Sequence, residues 1–144
     1  MINREYSRVL YADDNEDSCL MVSILLEISG IKVIAANSVA EAWRLAQLEH
    51  FDLYLLDVRF PEGNGLELCR KLREYDLHTP IIFYSGNAFE SDKEKGLAAG
   101  ANAYLTKPYV NNLAETIQLA IRISKRINVK SWDNLYSASQ NYLN

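Results

Sequence analysis

At 144 residues with a net charge of −4, the chain has room for one domain with a hydrophobic core and lacks the basic surface expected of a nucleic-acid binder. Hydrophobic residues make up 49% and charged residues 24%, a globular composition, and no apolar run reaches the ~18 residues of a membrane span. The start, Met1-Ile2-Asn3-Arg4-Glu5, lacks a signal-peptide stretch, and Cys19 and Cys69 stand outside any CxxC or Cys/His cluster, so a cytoplasmic protein with two free thiols is expected.

Arg8 to Ala12 is a short apolar run that ends at Asp13-Asp14. Glu16 to Ser29 has helical spacing and closes at Gly30. Ile31 to Ala35 is a second run, and Ser38 with Glu41 resembles a capping box opening a helix to about Glu49. Leu53-Tyr54-Leu55-Leu56 is the most continuously apolar run and stops at Asp57. Arg59 to Gly65 reads as a loop, and Leu66 to Tyr75 as a helix. Pro80 to Tyr84 is a fourth run ending at Ser85-Gly86, followed by a helix from Ala88 to Ala99 closed by Gly100. Ala103-Tyr104-Leu105 is a fifth run before Thr106-Lys107-Pro108, and a last helix runs from about Val110 to Arg126. Residues 127–144 are polar, without strong period, and read as a tail or the start of a linker after a domain over 1–126. Short runs alternating five times with helices predict an α/β, doubly wound parallel sheet covered on both faces.

In such a sheet, functional groups gather at the carboxyl ends of the strands. There the sequence places Asp13 and Asp14, Asp57, Ser85 and Lys107. Clustered carboxylates repel one another and call for a cation; a hard, oxygen-seeking ion of the Mg²⁺ (or Mn²⁺) kind suits them. Lys107 offers a point charge and Ser85 a short donor for phosphate oxygens. A carboxylate nucleophile with these neighbours is the equipment for an aspartyl-phosphate. Taken alone, Asp13-Asp14 also reads as a helix cap, Asp57 as a loop start and Lys107 as a solvated turn residue.

The set Asp13-Asp14, Leu55-Leu56-Asp57, Ser85-Gly86 and Thr106-Lys107-Pro108 resembles the response-regulator receiver family of two-component signalling, whose single-domain members include chemotaxis regulators. The resemblance implies a flavodoxin-like fold of five parallel strands in the order 2-1-3-4-5 with five helices. It implies that Asp57 is the phosphoacceptor. Asp14 would be a direct metal ligand, Asp13 would act largely through water, and the Arg59 backbone carbonyl would complete the set. Lys107 would pair with the phosphoryl group, Ser85 would be the switch hydroxyl, and Tyr104 the aromatic that turns inward on activation. Arg59 and Asn87 occupy positions that tune phosphate lifetime. Gly63 stands where the family often has methionine, which is expected to loosen that loop.

The function implied is a phosphorelay switch, not a turnover enzyme: a phosphohistidine donor, either a histidine kinase or a phosphotransfer protein, loads Asp57. The surface of the fourth helix, fifth strand and fifth helix then changes for an effector or a second copy, without direct nucleic-acid or membrane contact. The family's donor docks on the first helix, where Asn15, Ser18, Cys19 and Val22 are the candidates. Rivals are a haloacid-dehalogenase-like phosphatase, disfavoured by Arg59 where it needs a second Asp, and a phosphorylation-independent binding module. A third setting is a fragment of a hybrid kinase or effector-bearing regulator.

Overall fold

A computed structural model describes residues 6–87, 89–109 and 111–126. The elements are β1 Ser7–Ala12, α1 Glu16–Ile28, β2 Ile31–Ala36, α2 Val39–Leu48, β3 Leu53–Leu56, β4 Arg59–Phe60, β5 Gly63–Asn64, α3 Gly65–Tyr75, β6 Ile81–Ser85, α4 Glu90–Ala98, β7 Ala103–Thr106 and α5 Leu113–Arg126. Five strands form one parallel sheet in the order β2-β1-β3-β6-β7, which is the predicted 2-1-3-4-5. No helix among the described residues is long and apolar enough to cross a membrane.

The apolar runs are strands buried on both faces, as their continuous hydrophobicity requires. Alternate residues of β1 enter two cores: Val9 and Tyr11 pack with α1 and α5, whereas Leu10 and Ala12 pack with α2 and α3. β3 is buried throughout. Register aligns Ala12 with Leu56, Leu56 with Phe83, and Phe83 with Tyr104, so the strands finish together at one edge. The chain leaves β1 toward β2 and returns to β3 on its other side. The crevice beyond the carboxyl ends of β1 and β3 is therefore the switch point of the sheet.

Helix ends follow their predicted signals. Ser38 caps α2 by accepting from the Glu41 amide, although the Glu41 carboxylate turns to Arg44 rather than closing the box. Gly30 and Gly100 take the positive φ values, 80° and 114°, that stop α1 and α4. The expected loop at 59–65 is more ordered than its composition suggests. Its arms pair antiparallel as β4 and β5, Arg59 opposite Asn64 and Phe60 opposite Gly63. Gly63 lets α2 approach, because a Cβ there would lie 3.0 Å from Val39 Cγ2. Its glycine thus serves close packing, a role not legible as loop looseness. The predicted tail, residues 127–144, lies outside the described residues.

The opposite edge is tied by Arg73 on α3. Its guanidinium donates to the carbonyls of Gly100, Asp76 and Thr79 at 2.8–3.1 Å and to Asn102 Oδ1 at 2.7 Å. Asp76 accepts from the amides of His78 and Thr79 and from the Thr79 hydroxyl. Burial pushes the Asp76 carboxyl up, but these bonds and Arg73 outweigh it and leave it below its ordinary value. A depressed folded value means that Asp76 stabilises the fold above the unfolded value, and that this is lost as pH falls through the folded one. Asp76→Asn is expected to lower stability near neutrality and to flatten its decline below about pH 4. Urea melts across acidic pH check this; an unaltered slope would count against the charge-based account.

Candidate functional site

Asp13 follows β1 directly and is fully buried. Its Oδ1 accepts from the Asn15 amide at 2.9 Å. Its Oδ2 accepts from the Tyr11 hydroxyl and from Lys107 Nζ, the latter at 2.6 Å. Both oxygens are thus committed. Asn15, not an aspartate, caps α1, its Oδ1 accepting from the Ser18 amide. The capping alternative for the two acids is therefore not realised. Asp14 is exposed.

Asp57 follows β3, one strand away. Its amide donates to the Ala12 carbonyl, its Oδ1 accepts from the Val58 amide at 2.7 Å, and its Oδ2 accepts from Lys107 Nζ at 3.0 Å. The side chain is 14% exposed, open enough to be reached and enclosed enough to be held. Gly65 fixes the loop below it: a Cβ there would lie 2.0 Å from the Asp57 carbonyl oxygen, which no larger residue accommodates without displacing the loop.

Lys107 therefore bridges two carboxylates from the two strands flanking the switch point. Burial pulls its ammonium down, but Asp13 and Asp57 together outweigh that and raise it above its ordinary value. The ammonium also lies 5.5 Å from the Tyr84 ring centroid. Ser85, buried at the end of β6, accepts from the Asn87 amide at 3.3 Å. Tyr104 is fully buried, and its hydroxyl donates to the Asn87 carbonyl at 2.7 Å. Burial pushes this phenol up, and a hydrogen bond with Ser85 works in the opposite direction. Asn87 is half-buried, and Arg59 stands exposed on the hairpin.

The donors at this edge are oxygens, suited to a hard cation, and Lys107 Nζ shows that a positive charge fits between Asp13 and Asp57. Among the described residues no three His, Cys, Asp or Glu side chains converge closely enough to hold an ion. Asp13 and Asp57 are brought together through Lys107, while Asp14 is exposed beside them in sequence.

Two docking candidates on α1 are corrected. Cys19 and Val22 are buried against β1 and α5, since they fall on the face that covers the sheet. Asn15 is exposed and Ser18 half-buried. The apolar residues facing outward are Leu20, Met21, Ile24 and Ile28, 49–79% exposed. Both thiols are free; burial pushes Cys19 and Cys69 up to about 11, leaving them poor nucleophiles. Sequence reasoning missed Tyr11. A tyrosine inside an apolar strand two residues before an acid on the next strand turn is the signal that points to it.

Comparison with known proteins places this geometry. The model of the response regulator receiver domain matches residues 9–122. The chain is 39% identical over 71% of its length to the alkaline phosphatase synthesis transcriptional regulatory protein PhoP of Bacillus subtilis, covering 42% of that protein. It is 35% identical over 75% of its length to the sensor protein EvgS of Escherichia coli, covering 9% of it. It is 31% identical over 82% of its length to the cell cycle transcriptional regulator CtrA of Caulobacter vibrioides, covering 52% of it. The chain thus spans about half or less of these relatives. Among solved structures, Vibrio cholerae chemotaxis protein CheY4 superposes with a TM-score of 0.74 at 32% identity, over 78% of this chain and 97% of that one. A CheY-like receiver domain protein from Methanospirillum hungatei gives 0.78 at 28% identity, over 85% and 99%.

The contrast between the two adjacent acids is testable without phosphate. Asp13→Ala strands the Tyr11 hydroxyl and leaves Lys107 with Asp57 alone, and is expected to cost about 2 kcal/mol of stability. Asp14→Ala, at an exposed position, is expected to change it by less than about 0.5 kcal/mol. Metal-free denaturant melts compare them; equal losses would contradict the buried bridge.

Proposed function

Because the chain belongs to the response regulator receiver family, we propose that it is a phosphorylation-controlled switch in which Asp57 takes the phosphoryl group. The observation that carries this reading is Lys107 Nζ held between Asp13 and Asp57 at the switch point of the sheet. Receiver domains act with histidine kinases and effectors and are regulators rather than turnover enzymes.

Asp57 Oδ2 attacks the phosphorus of a phosphohistidine. The new O–P bond forms as the P–N bond breaks, and the electron pair stays on the imidazole nitrogen. A divalent cation such as Mg²⁺, which receiver domains generally bind, would be held by Asp14, Asp57 and the Arg59 carbonyl, with Asp13 acting through water, and would neutralise phosphoryl charge. Lys107 exchanges Asp57 Oδ2 for a phosphoryl oxygen without leaving the site. Ser85 turns its hydroxyl from the Asn87 amide to another phosphoryl oxygen. Tyr104, joined to Asn87 through its carbonyl, carries that change to the face made by α4, β7 and α5, where an effector or a second copy reads it. Arg59 and Asn87 border the phosphoryl and set its lifetime. The donor docks on α1 at Asn15 and Ser18, extended by the outward strip of Leu20, Met21 and Ile24.

A second setting is favoured by the relatives, which are a sensor protein and transcriptional regulators much longer than this chain. There the same switch serves as the receiver of a larger hybrid kinase or effector-bearing regulator. A phosphorylation-independent module is disfavoured because Asp13, Asp14, Asp57, Ser85 and Lys107 are all present.

Mass spectrometry after acetyl phosphate and Mg²⁺ is expected to show one phosphoryl group on the wild type and none on Asp57→Asn. Equal labelling of that variant would sink the assignment, and chelating the metal is expected to abolish labelling. Lys107→Ala is expected to accept some phosphate while losing the change in size or partner binding that follows phosphorylation of the wild type; a full response would remove Lys107 from the switch.

A further inference from the structure

The Tyr104 ring occupies a seat built from two neighbours. Phe83 stands opposite it across β6 and β7, the ring centroids 5.7 Å apart and the planes at 36°. The other wall is Gly96 in the last turn of α4. A Cβ at Gly96 would lie 2.8 Å from Tyr104 Cδ2 and 3.0 Å from Phe83 Cδ2. The first approach is closer than carbon atoms tolerate, and the second is tight. Gly96 is not among the glycines with positive φ, so its backbone does not demand glycine. Glycine inside a helix is less stable than alanine, so the local helix preference runs against it. What the missing methyl provides is room for the ring. The ring uses that room fully: it is buried to 0% exposure, with its hydroxyl on the Asn87 carbonyl.

We propose that Gly96 is a positioning residue that seats the Tyr104 ring inward in the unphosphorylated chain. The α4–β7–α5 face then has its ring-in shape before any phosphate arrives. Phosphorylation acts through Ser85 and the Asn87 segment at the hydroxyl end of the ring, rather than by bringing the ring in from solvent. Alanine at position 96 fills the seat, expels the ring and restores a large ring movement to the switch. The inference rests on the reading of Ser85 and Tyr104 as the switch, and concerns where that switch rests.

Fluorine NMR of protein carrying fluorotyrosine tests it, with the Tyr104 signal assigned by its loss in Tyr104→Phe. In the wild type that signal is expected to resist broadening by a soluble paramagnetic probe equally with and without beryllofluoride and Mg²⁺. In Gly96→Ala it is expected to shift and to broaden several-fold more in the resting state, and to regain protection with beryllofluoride and Mg²⁺. Phe83→Leu added to Gly96→Ala returns space to the seat and is expected to restore protection, which separates expulsion from general damage. An exposed Tyr104 signal in the resting wild type overturns the proposal even if Gly96→Ala fails to fold. So does an unmoved, protected signal in Gly96→Ala. Acetyl phosphate labelling of the same samples keeps the two readings apart. Normal labelling of Asp57 with an unmoved, protected ring in Gly96→Ala sinks the seat alone, whereas an unlabelled wild type with a protected ring sinks the phosphoacceptor reading alone.

Discussion

One ammonium joins the two strands on which this site is built. Lys107 comes from the far end of β7, yet its Nζ reaches Asp13 after β1 and Asp57 after β3. Without it, two enclosed carboxylates would face each other across the crevice with no cation between them. With it, a positive charge lies between them, 2.6 Å from Asp13 Oδ2 and 3.0 Å from Asp57 Oδ2. The same contact closes the sheet's carboxyl edge from β1 to β7. Charge balance and tertiary closure are therefore one interaction, and an anion entering the crevice acts on both.

The neighbours of that ammonium serve it by geometry more than by energy. Gly65 leaves the Asp57 carbonyl undisturbed. The Asn15 amide and Tyr11 hydroxyl hold the Asp13 carboxylate in one orientation. Tyr84 lies under the ammonium and accepts from the Tyr109 amide through its own hydroxyl. These contacts hold the polar side chains of the crevice in defined positions.

Much of this was legible in the chain itself. Each strand was an apolar run, and the residue on which it stopped was polar, so Asp13, Asp57 and Lys107 could be placed at one edge from pattern alone. What stayed hidden depends on direction rather than on type. Tyr11 reads as core, and only the fold shows its hydroxyl aimed at Asp13. Cys19 and Val22 lie on a helix with apolar residues on more than one side, and composition does not say which side meets the sheet. The hairpin of β4 and β5 lies within a stretch of Pro and Gly whose pairing arises from the chain folding back, not from strand propensity. Gly63 and Gly96 look permissive in sequence but are places where another element comes close.

The Arg73 knot gives the sheet a fixed end. It gathers the close of α3, the approach to β6 and the turn into β7 around a single guanidinium, at the edge away from the site. Asn102 Oδ1, which takes that guanidinium, also accepts from the Ile81 amide, so β6 and β7 share one pin. That pin sits at the amino ends of β6 and β7, whereas Ser85 and Thr106 close the same two strands at the opposite end of the sheet, beside Asp57 and Lys107.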